Sequence, residues 1–295
     1  MFGPTLNGNE IIGEYNFVLV FFSYFIATFA SYTALDLAMR IDEGQGNSKK
    51  IWIGGCAFAM GGGIWSMHFT GMLAFKLPVS ITYDLKLTLG SFLSAILASG
   101  IAFFYATQKP IKFYRIVLGG AVMGIGVAIM HYSGMEAMGF SGEMYYKKRL
   151  FFASILIAIV AATVALSLII LFGKNDQVTN LKYKISAAIL MGLAVCGMHY
   201  TGMEATVFLS KGPVSLNLES TAGVPIIIFS ILGIILLILV VAIIASITQG
   251  EFNNLQIKKS ELEVLVEKRT KELKALASLS DENTSPIFRV NSENI

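Results

Sequence analysis

Three short motifs hold every histidine of the chain. They read SMHFTGMLA at 66–74, IMHYSGMEA at 129–137 and GMHYTGMEA at 197–205. Imidazole nitrogen suits copper and several other transition metals, and neighbouring thioether sulfur favours Cu(I). The repeated pairing of the two donors therefore predicts a metal or cofactor site that contains His68, His131 and His199.

Methionines recur at fixed distances from each histidine, at −8, −1 and +4, and these positions hold nine of the thirteen methionines. On a helix the +4 residue lies one turn from the histidine on the same face, while −1 and −8 form a second stripe about 100° away. The −8 methionines are interpreted as packing residues, because methionine commonly fills gaps in apolar cores. The candidate ligands are Met72, Met135 and Met203 at +4, Met67, Met130 and Met198 at −1, and Cys196 at −3 in the third motif.

Two acidic residues follow the second and third histidines at +5, where the first motif has Leu73. Glu136 and Glu204 are candidate hydrogen-bond partners of ligating imidazoles. The alternative is that both lie at the water interface without a role at the site. For the motif as a whole, the alternatives are helix packing and internal duplication, but polar groups inside a membrane are costly and are functional candidates by default.

The composition is that of an integral membrane protein. Hydrophobic residues make up 55% of the chain and charged residues 14%, against about a quarter charged in soluble domains; the mean hydropathy is +0.69. The net charge of +3 is too small to suggest nucleic acid as a partner. The lipid bilayer is therefore the expected surrounding.

Seven segments have the length of about 20 apolar residues that a membrane helix needs. Because the histidines are 63 and 68 residues apart, the repeat unit is a pair of helices. The predicted fold is all-α and polytopic, with three helix pairs plus one further helix. The predicted spans are 14–35, 51–76, 85–107, 114–138, 150–172, 185–209 and 224–247.

The motifs fall near the C-terminal ends of spans 2, 4 and 6, which run in one direction, so all three share one side of the membrane. The connections after spans 1, 3 and 5 hold nine Lys and Arg against six in the other three, and seven more follow residue 248. The positive-inside rule then predicts an external N-terminus, a cytoplasmic C-terminus and motifs near the outer face. Whether the three helices converge on one ion or each holds its own is left open.

At these motifs the chain resembles the MHYT family of bacterial seven-helix sensor proteins. The family signature Met-His-Tyr-Thr stands complete at 198–201 and in relaxed form at 130–133 and 67–70. The resemblance covers about residues 12–248 and implies a sensor of the bacterial cytoplasmic (inner) membrane. It also implies that His, Met and Cys residues hold copper and sense O₂, CO or NO. The changes to Phe69 and Ser133 affect no expected ligand.

The composition changes after residue 248. Residues 249–282 are predicted to form a cytoplasmic linker helix, either a coiled coil that forms a homodimer or a solvated amphipathic helix. The coiled-coil reading puts Leu255, Leu262, Arg269 and Leu276 at d positions and Lys259, Val266 and Leu273 at a positions. Residues 283–295 are similar to the opening strand of a PAS domain, or form a disordered tail.

These observations favour a membrane domain (1–248) that acts as a signal input, with no enzyme activity of its own. It would respond to a diatomic gas, to copper or to redox state. A copper or proton transporter is the main rival, but it would place such groups along a path near midplane. An enzyme would have only Glu136 and Glu204 for acid–base chemistry. Haem is the alternative cofactor, because His/Met axial ligation is an established mode.

Overall fold

A computed structural model describes residues 10–41, 47–172, 181–210 and 224–283. Within these ranges the chain folds into seven helices with six short strands at their ends, which confirms the all-α polytopic prediction. The helices are α1(Phe17–Met39), α2(Asn47–Ala74), α3(Leu85–Ala106), α4(Phe113–Glu136), α5(Lys148–Phe172), α6(Leu181–Ala205) and α7(Val224–Asn283). Asn16 caps α1 through bonds from the N–H groups of Val18 and Leu19, and Asp84 caps α3 through the N–H of Leu87.

Six of the described helices are long and apolar enough to cross a membrane: α1, α3, α4, α5, α6 and the first part of α7. The second predicted span, α2, is a helix of 28 residues that is not apolar enough to be counted with these six. Every residue from 59 to 72 of α2 is buried. Since α2 is enclosed by other helices rather than by lipid over this stretch, it tolerates glycine and polar residues there.

Helices α1 to α6 form a closed ring in chain order, in which α6 packs against α1. Glycines at −7 from each histidine let α2, α4 and α6 approach the next helix closely. A Cβ on Gly61 would lie 2.7 Å from the backbone of Ile96 on α3, and Gly124 and Gly192 meet the backbones of Ile159 and Thr28 in the same way. Each repeat therefore contacts the next, and the third contacts the first.

Three two-stranded antiparallel sheets lie where α2, α4 and α6 end, a region called here the motif end of the bundle. The strands are β1(Glu14–Tyr15), β2(Phe75–Lys76), β3(Thr82–Tyr83), β4(Met138–Gly139), β5(Gly142–Tyr146) and β6(Thr206–Ser210), and they pair as β1–β2, β3–β4 and β5–β6. The predicted helical ends at 76, 138 and 209 are wrong, because the chain leaves each helix two to four residues earlier to form these strands. Each pair is extended by one equivalent N–H···O=C bond of 2.8 Å: Asn16 to Ala74, Asp84 to Ala137 and Lys147 to Ala205.

Residues 1–242 form one compact unit, and residues 243–295 form a second. The predicted linker at 249–282 is helical, as part of α7. Its predicted seam residues are exposed in the single chain, with Leu255 at 65%, Val266 at 58% and Leu273 at 65%. The predicted PAS-like segment lies outside the described residues after Asn283.

Candidate metal centre

The three histidines converge on one point inside the bundle. Their Nδ1 atoms are 3.0 Å apart for His68 and His199, 3.1 Å for His68 and His131, and 3.3 Å for His131 and His199. All three side chains are 0% exposed. Of the two arrangements that the motif spacing allows, three separate sites or one shared cluster, the structure has the shared cluster.

These three contacts cannot all be hydrogen bonds. In a neutral imidazole, Nδ1 is either a donor or an acceptor. Among three Nδ1 atoms in mutual contact, at least two must then be of the same kind, and that pair has no hydrogen bond to form. A cation at the centre removes the conflict, because each Nδ1 can then direct its lone pair at the ion.

The size of the cluster suits a first-row transition metal. A triangle with sides of 3.0, 3.1 and 3.3 Å has its centre about 1.8 Å from each corner, and imidazole–metal bonds of this type are about 2.0–2.1 Å for zinc. An outward movement of a few tenths of an ångström would therefore give three ordinary bonds. Within the described residues, this trio is the group of His, Cys, Asp and Glu side chains whose spacing could hold a metal ion.

The other ring nitrogen of each histidine lies against a glycine of the next repeat. A Cβ on Gly134 would overlap Nε2 of His68, one on Gly202 would overlap Nε2 of His131, and one on Gly71 would overlap Nε2 of His199. These glycines occupy position +3 of each motif, and only a residue without a side chain leaves room for the ring. The order runs from the first repeat to the second, to the third and back to the first.

The three Nε2 atoms are buried and have no hydrogen-bond partner among the described residues. Buried polar atoms without a partner are rare and usually have a functional explanation. With Nδ1 directed at a central ion, Nε2 carries the proton of the neutral ring. The glycine contacts then hold each ring in the orientation that directs Nδ1 inward.

The methionines predicted as ligands are all buried, with exposures of 4% or less for Met67, Met130, Met198, Met72, Met135 and Met203. Cys196 is also buried but lies against the Ser23 hydroxyl, and it does not belong to the metal-spaced histidine group. The −8 methionines, interpreted above as packing, line one small cavity.

Of the two readings of Glu136 and Glu204, the structure has the one at the surface, and no imidazole donates a hydrogen bond to either carboxylate. Both glutamates are exposed, and neither an Nδ1 nor an Nε2 of the cluster has a carboxylate partner. The glutamates instead lie near tyrosines of the neighbouring strands. Burial raises the pKa of Tyr146, and Glu136 raises it further; burial, Tyr200 and Glu204 raise the pKa of Tyr15.

A ring of three serines on the odd-numbered helices lies beside the histidine layer. The motif spacing did not predict these serines. Ser23, Ser91 and Ser154 are each the seventh residue of α1, α3 and α5, and each donates to a carbonyl three residues earlier. Each also forms a hydrogen bond with an aromatic side chain of the motif-bearing helix that packs beside it. Their common position in the helix is the signal that could have identified them.

These features define a polytopic helical membrane protein of three cyclic repeats with a shared histidine centre. Residues 61–119 and 124–180 match the MHYT family model, described as a bacterial signalling protein N-terminal repeat. The chain belongs to the MHYT family, and its membrane region is a signalling input domain of that family. The third motif lies beyond the matched residues, but it occupies the equivalent position in the ring.

Three relatives share this region. The chain is 45% identical over 198 residues to the bifunctional diguanylate cyclase/cyclic di-GMP phosphodiesterase MucR of Pseudomonas aeruginosa. This match covers 67% of this chain and 29% of MucR. It is 36% identical over 200 residues to the signaling protein YkoW of Bacillus subtilis, covering 68% of this chain and 25% of YkoW. It is 36% identical over 205 residues to the cyclic di-GMP phosphodiesterase NbdA of P. aeruginosa, covering 69% of this chain and 26% of NbdA.

The match thus spans less than a third of the length of each of these curated relatives. No solved structure matches the chain.

Proposed function

We propose that the membrane domain is a signal-input module that holds one copper ion at His68, His131 and His199. The observation that carries the proposal is the buried triangle of Nδ1 atoms, with sides of 3.0 to 3.3 Å. The ion would supply a redox-active centre able to bind O₂, CO or NO. The signal would be a change in the concentration of that gas, in the concentration of copper or in the redox state of the centre.

The donor set supports copper over haem. Axial ligands of a haem lie on opposite faces of the porphyrin, whereas three Nδ1 atoms within 3.3 Å of one another leave no space for a macrocycle between them. Imidazole suits copper, and the buried thioethers around the layer suit Cu(I) in particular. Zinc also accepts three histidines, so metal analysis has to identify the ion.

The role of the surrounding side chains would be to keep the three imidazole rings in a fixed orientation. The +3 glycines seat each Nε2, and the serine ring anchors the residue that follows two of the histidines. The aromatic rings of Phe69, Tyr132 and Tyr200 pack on Tyr83, Tyr146 and Tyr15 between the histidines and the end of the bundle. This layer would keep bulk water away from the ion while admitting a small apolar gas.

The sensing reading is preferred to transport because the three motifs share one depth. Each histidine lies five or six residues before the end of its helix, about 8–9 Å at 1.5 Å per residue. The charge distribution supports an external N-terminus, and membership of a bacterial signalling family supports the inner membrane as the location. Reporter fusions near residues 80 and 144 should then indicate the outside and a fusion after residue 250 the cytoplasm; the opposite pattern would move the histidines to the inner leaflet.

The signal would pass through α7 to a cytoplasmic output, which in proteins such as MucR and NbdA involves cyclic di-GMP by name. The exposed apolar side chains at 255–276 support a homodimer through the coiled-coil seam. Introducing a charge at both Val266 and Leu273 should abolish crosslinking across this segment. Unchanged crosslinking would mean that the segment is a solvated single helix.

Metal content tests the proposal directly. The parent protein and its single variants His68→Ala, His131→Ala and His199→Ala are purified in detergent, loaded with copper and analysed for copper, zinc, iron and a haem Soret band. Each variant should lose the ion, because all three share it. Variants with the parent's metal content would remove the histidines from the site, and a Soret band without copper would replace the cofactor while leaving the sensor role.

A further inference from the structure

The first part of α7 packs against the first repeat, within the compact unit of residues 1–242. On α2, a Cβ at Gly62 would lie 3.1 Å from the side chain of Ile234 on α7. Six residues before the histidine, where the first motif has Gly62, the second and third motifs have Ile125 and Leu193, which are 48% and 54% exposed. The glycine therefore leaves room for α7 at the first repeat, where the other repeats have large apolar side chains.

A cavity of about 410 Å³ lies between α7 and the first repeat. Its lining extends along α7 from Ile226 to Leu237 and along α3 from Leu85 to Phe92. The stretch on α7 is about 16 Å long at 1.5 Å per residue. Ligand pockets in proteins have volumes of about 300–1,000 Å³, so this cavity is large enough for a small organic ligand in an extended shape.

Aromatic side chains form one wall of the cavity. The ring centroids of Trp65 and Phe92 are 5.4 Å apart, those of Phe58 and Phe92 are 6.5 Å apart, and both pairs meet edge to face. Where the first motif has Trp65, the other two have Ala128 and Cys196. The aromatic wall is therefore a feature of the repeat that α7 covers, and it favours a planar ring as its partner.

Two hydroxyl groups line the cavity from different elements, Tyr83 from β3 and Ser230 from α7. Within the described residues, neither hydroxyl has a hydrogen-bond partner, whereas the Thr88 hydroxyl donates to the carbonyl of Asp84 at 2.7 Å. A polar group without a partner is costly in a membrane protein. The lining therefore favours a ligand that has hydrogen-bond acceptors.

We propose that this cavity binds a membrane-soluble quinone. The quinone ring is planar and packs on the aromatic wall, and its carbonyl oxygens accept hydrogen bonds from Tyr83 and Ser230. Its prenyl chain lies along the apolar side chains of α3 and α7. A hydrocarbon chain alone has no acceptor for the two hydroxyls. The head group of a phospholipid carries charge, and the described lining has no charged side chain to balance it.

The proposed quinone site is separate from the proposed copper site, because no histidine lines the cavity. One wall is supplied by α7, which continues as one helix to Asn283. Binding of a quinone would therefore act on the helix that contains the linker, independently of the metal.

Tryptophan fluorescence tests the proposal, because quinones quench indole fluorescence and Trp65 is one of only two tryptophans. Trp52→Phe makes Trp65 the single reporter, and all variants are made in this background. The probe is a benzoquinone with a decyl chain, titrated into the full chain in lipid nanodiscs. The test variant Gly233→Leu fills the cavity, since a Cβ at Gly233 meets nothing within 4 Å. The matched control is Gly54→Leu, which is equally open but does not line the cavity.

The parent and Gly54→Leu should show saturable quenching. Gly233→Leu should show only the linear quenching that comes from quinone dissolved in the bilayer. Tyr83→Phe keeps the ring and removes one donor, so its Kd should be roughly 3- to 10-fold higher; its control is Tyr105→Phe, outside the lining. His131→Ala should bind the quinone as the parent does, whatever its copper content. Circular dichroism and gel filtration establish that each variant is folded.

The proposal is overturned if quenching of the parent is linear, or if Gly233→Leu binds the quinone as tightly as Gly54→Leu. It also fails if a decyl chain without the quinone ring displaces the probe at equal concentration, because the cavity is then a site for lipid chains. Loss of copper without loss of quinone binding in His131→Ala would support both sites. Unchanged copper in that variant would count against the histidine centre alone.

Discussion

In the second and third repeats, a tyrosine hydroxyl forms a hydrogen bond with the serine beside the histidines. In the first repeat, a tryptophan indole forms this hydrogen bond. The Tyr132 hydroxyl lies 2.7 Å from Ser154 Oγ, and the Tyr200 hydroxyl lies 2.9 Å from Ser23 Oγ. In the first repeat the tyrosine position is Phe69, and Trp65, four residues earlier, donates from Nε1 to Ser91 Oγ at 3.1 Å.

The serines are equivalent in all three repeats, so what differs is the donor that reaches them. Each serine donates to its own helix and accepts from the aromatic residue. A donor lost at Phe69 is replaced from the −3 position, where the third repeat has Cys196. All three repeats therefore keep a hydrogen bond to the serine, although the side chain that donates it differs.

The first repeat is also the less polar one at the motif end. The +5 glutamates of the other repeats lie near Tyr146 and Tyr15, and both raise the pKa of their tyrosine. The first repeat has Leu73 at this position, and the pKa of Tyr83 is raised by burial alone. The motif end therefore has a leucine in the first repeat where the other two repeats have a carboxylate near a buried tyrosine.

The strongest test of equivalence uses the glycines that seat the imidazoles. Gly71→Ala, Gly134→Ala and Gly202→Ala each place a methyl group on an Nε2 atom. Such overpacking costs about 1–3 kcal/mol, and the displaced ring should no longer be able to hold the proposed copper ion. Thermal unfolding in detergent and copper content are the measurements.

Gly197→Ala is the matched control, because a Cβ there meets nothing within 4 Å. It should be stabilised slightly, since alanine is favoured over glycine within a helix by about 1 kcal/mol. If the three seat variants behave like Gly197→Ala, the seats do not constrain the rings. A milder effect at one seat would show that the repeats are not equivalent at the centre.

A smaller effect is expected at the serine contacts. Tyr132→Phe and Tyr200→Phe each remove the donor to a serine, at about 1 kcal/mol each. Trp65→Phe removes a donor of the same kind and adds a packing cost, because the indole is buried. In the Trp65→Phe background, Phe69→Tyr should restore the part of the stability that the hydrogen bond contributes, because Ser91 occupies the position that Ser154 and Ser23 occupy in the other repeats. A double-mutant cycle on unfolding free energies measures the coupling; zero coupling would mean that Trp65 does not replace the missing hydroxyl.

Much of this centre follows from the sequence, and the remainder has identifiable physical causes. The site residues His68, His131 and His199 could be predicted because their spacing repeats and because alternate helices run in the same direction. Their convergence on one point could not be predicted, since a helical period defines a face of the helix but not the neighbour that this face meets. The two-residue strands were missed because they are too short to show an alternating pattern.

Helical geometry favours one of the two readings of the glutamates that the sequence analysis left open. At 100° per residue, +4 lies about 40° from the histidine on the helix, whereas +5 lies about 140° away. Glu136 and Glu204 therefore face outward, as their exposure shows. The acidic residue type suggested a partner for the imidazole, but the helical geometry opposed it.

The smallest predicted effect concerns these glutamates and distinguishes the second and third repeats from the first. A tyrosine whose pKa is raised on folding above its ordinary value of 10.0 contributes stability that is fully present below pH 10 and is lost as the pH rises above it. Glu136→Gln and Glu204→Gln remove part of the cause, so stability should fall less steeply above pH 10. Copper content should not change, because neither carboxylate contacts a histidine. The matched change in the first repeat is Leu73→Gln, which should leave the alkaline profile unaltered, since no charge acts on Tyr83 there. Loss of copper in Glu136→Gln or Glu204→Gln would restore these residues to the metal site and contradict the geometry described above.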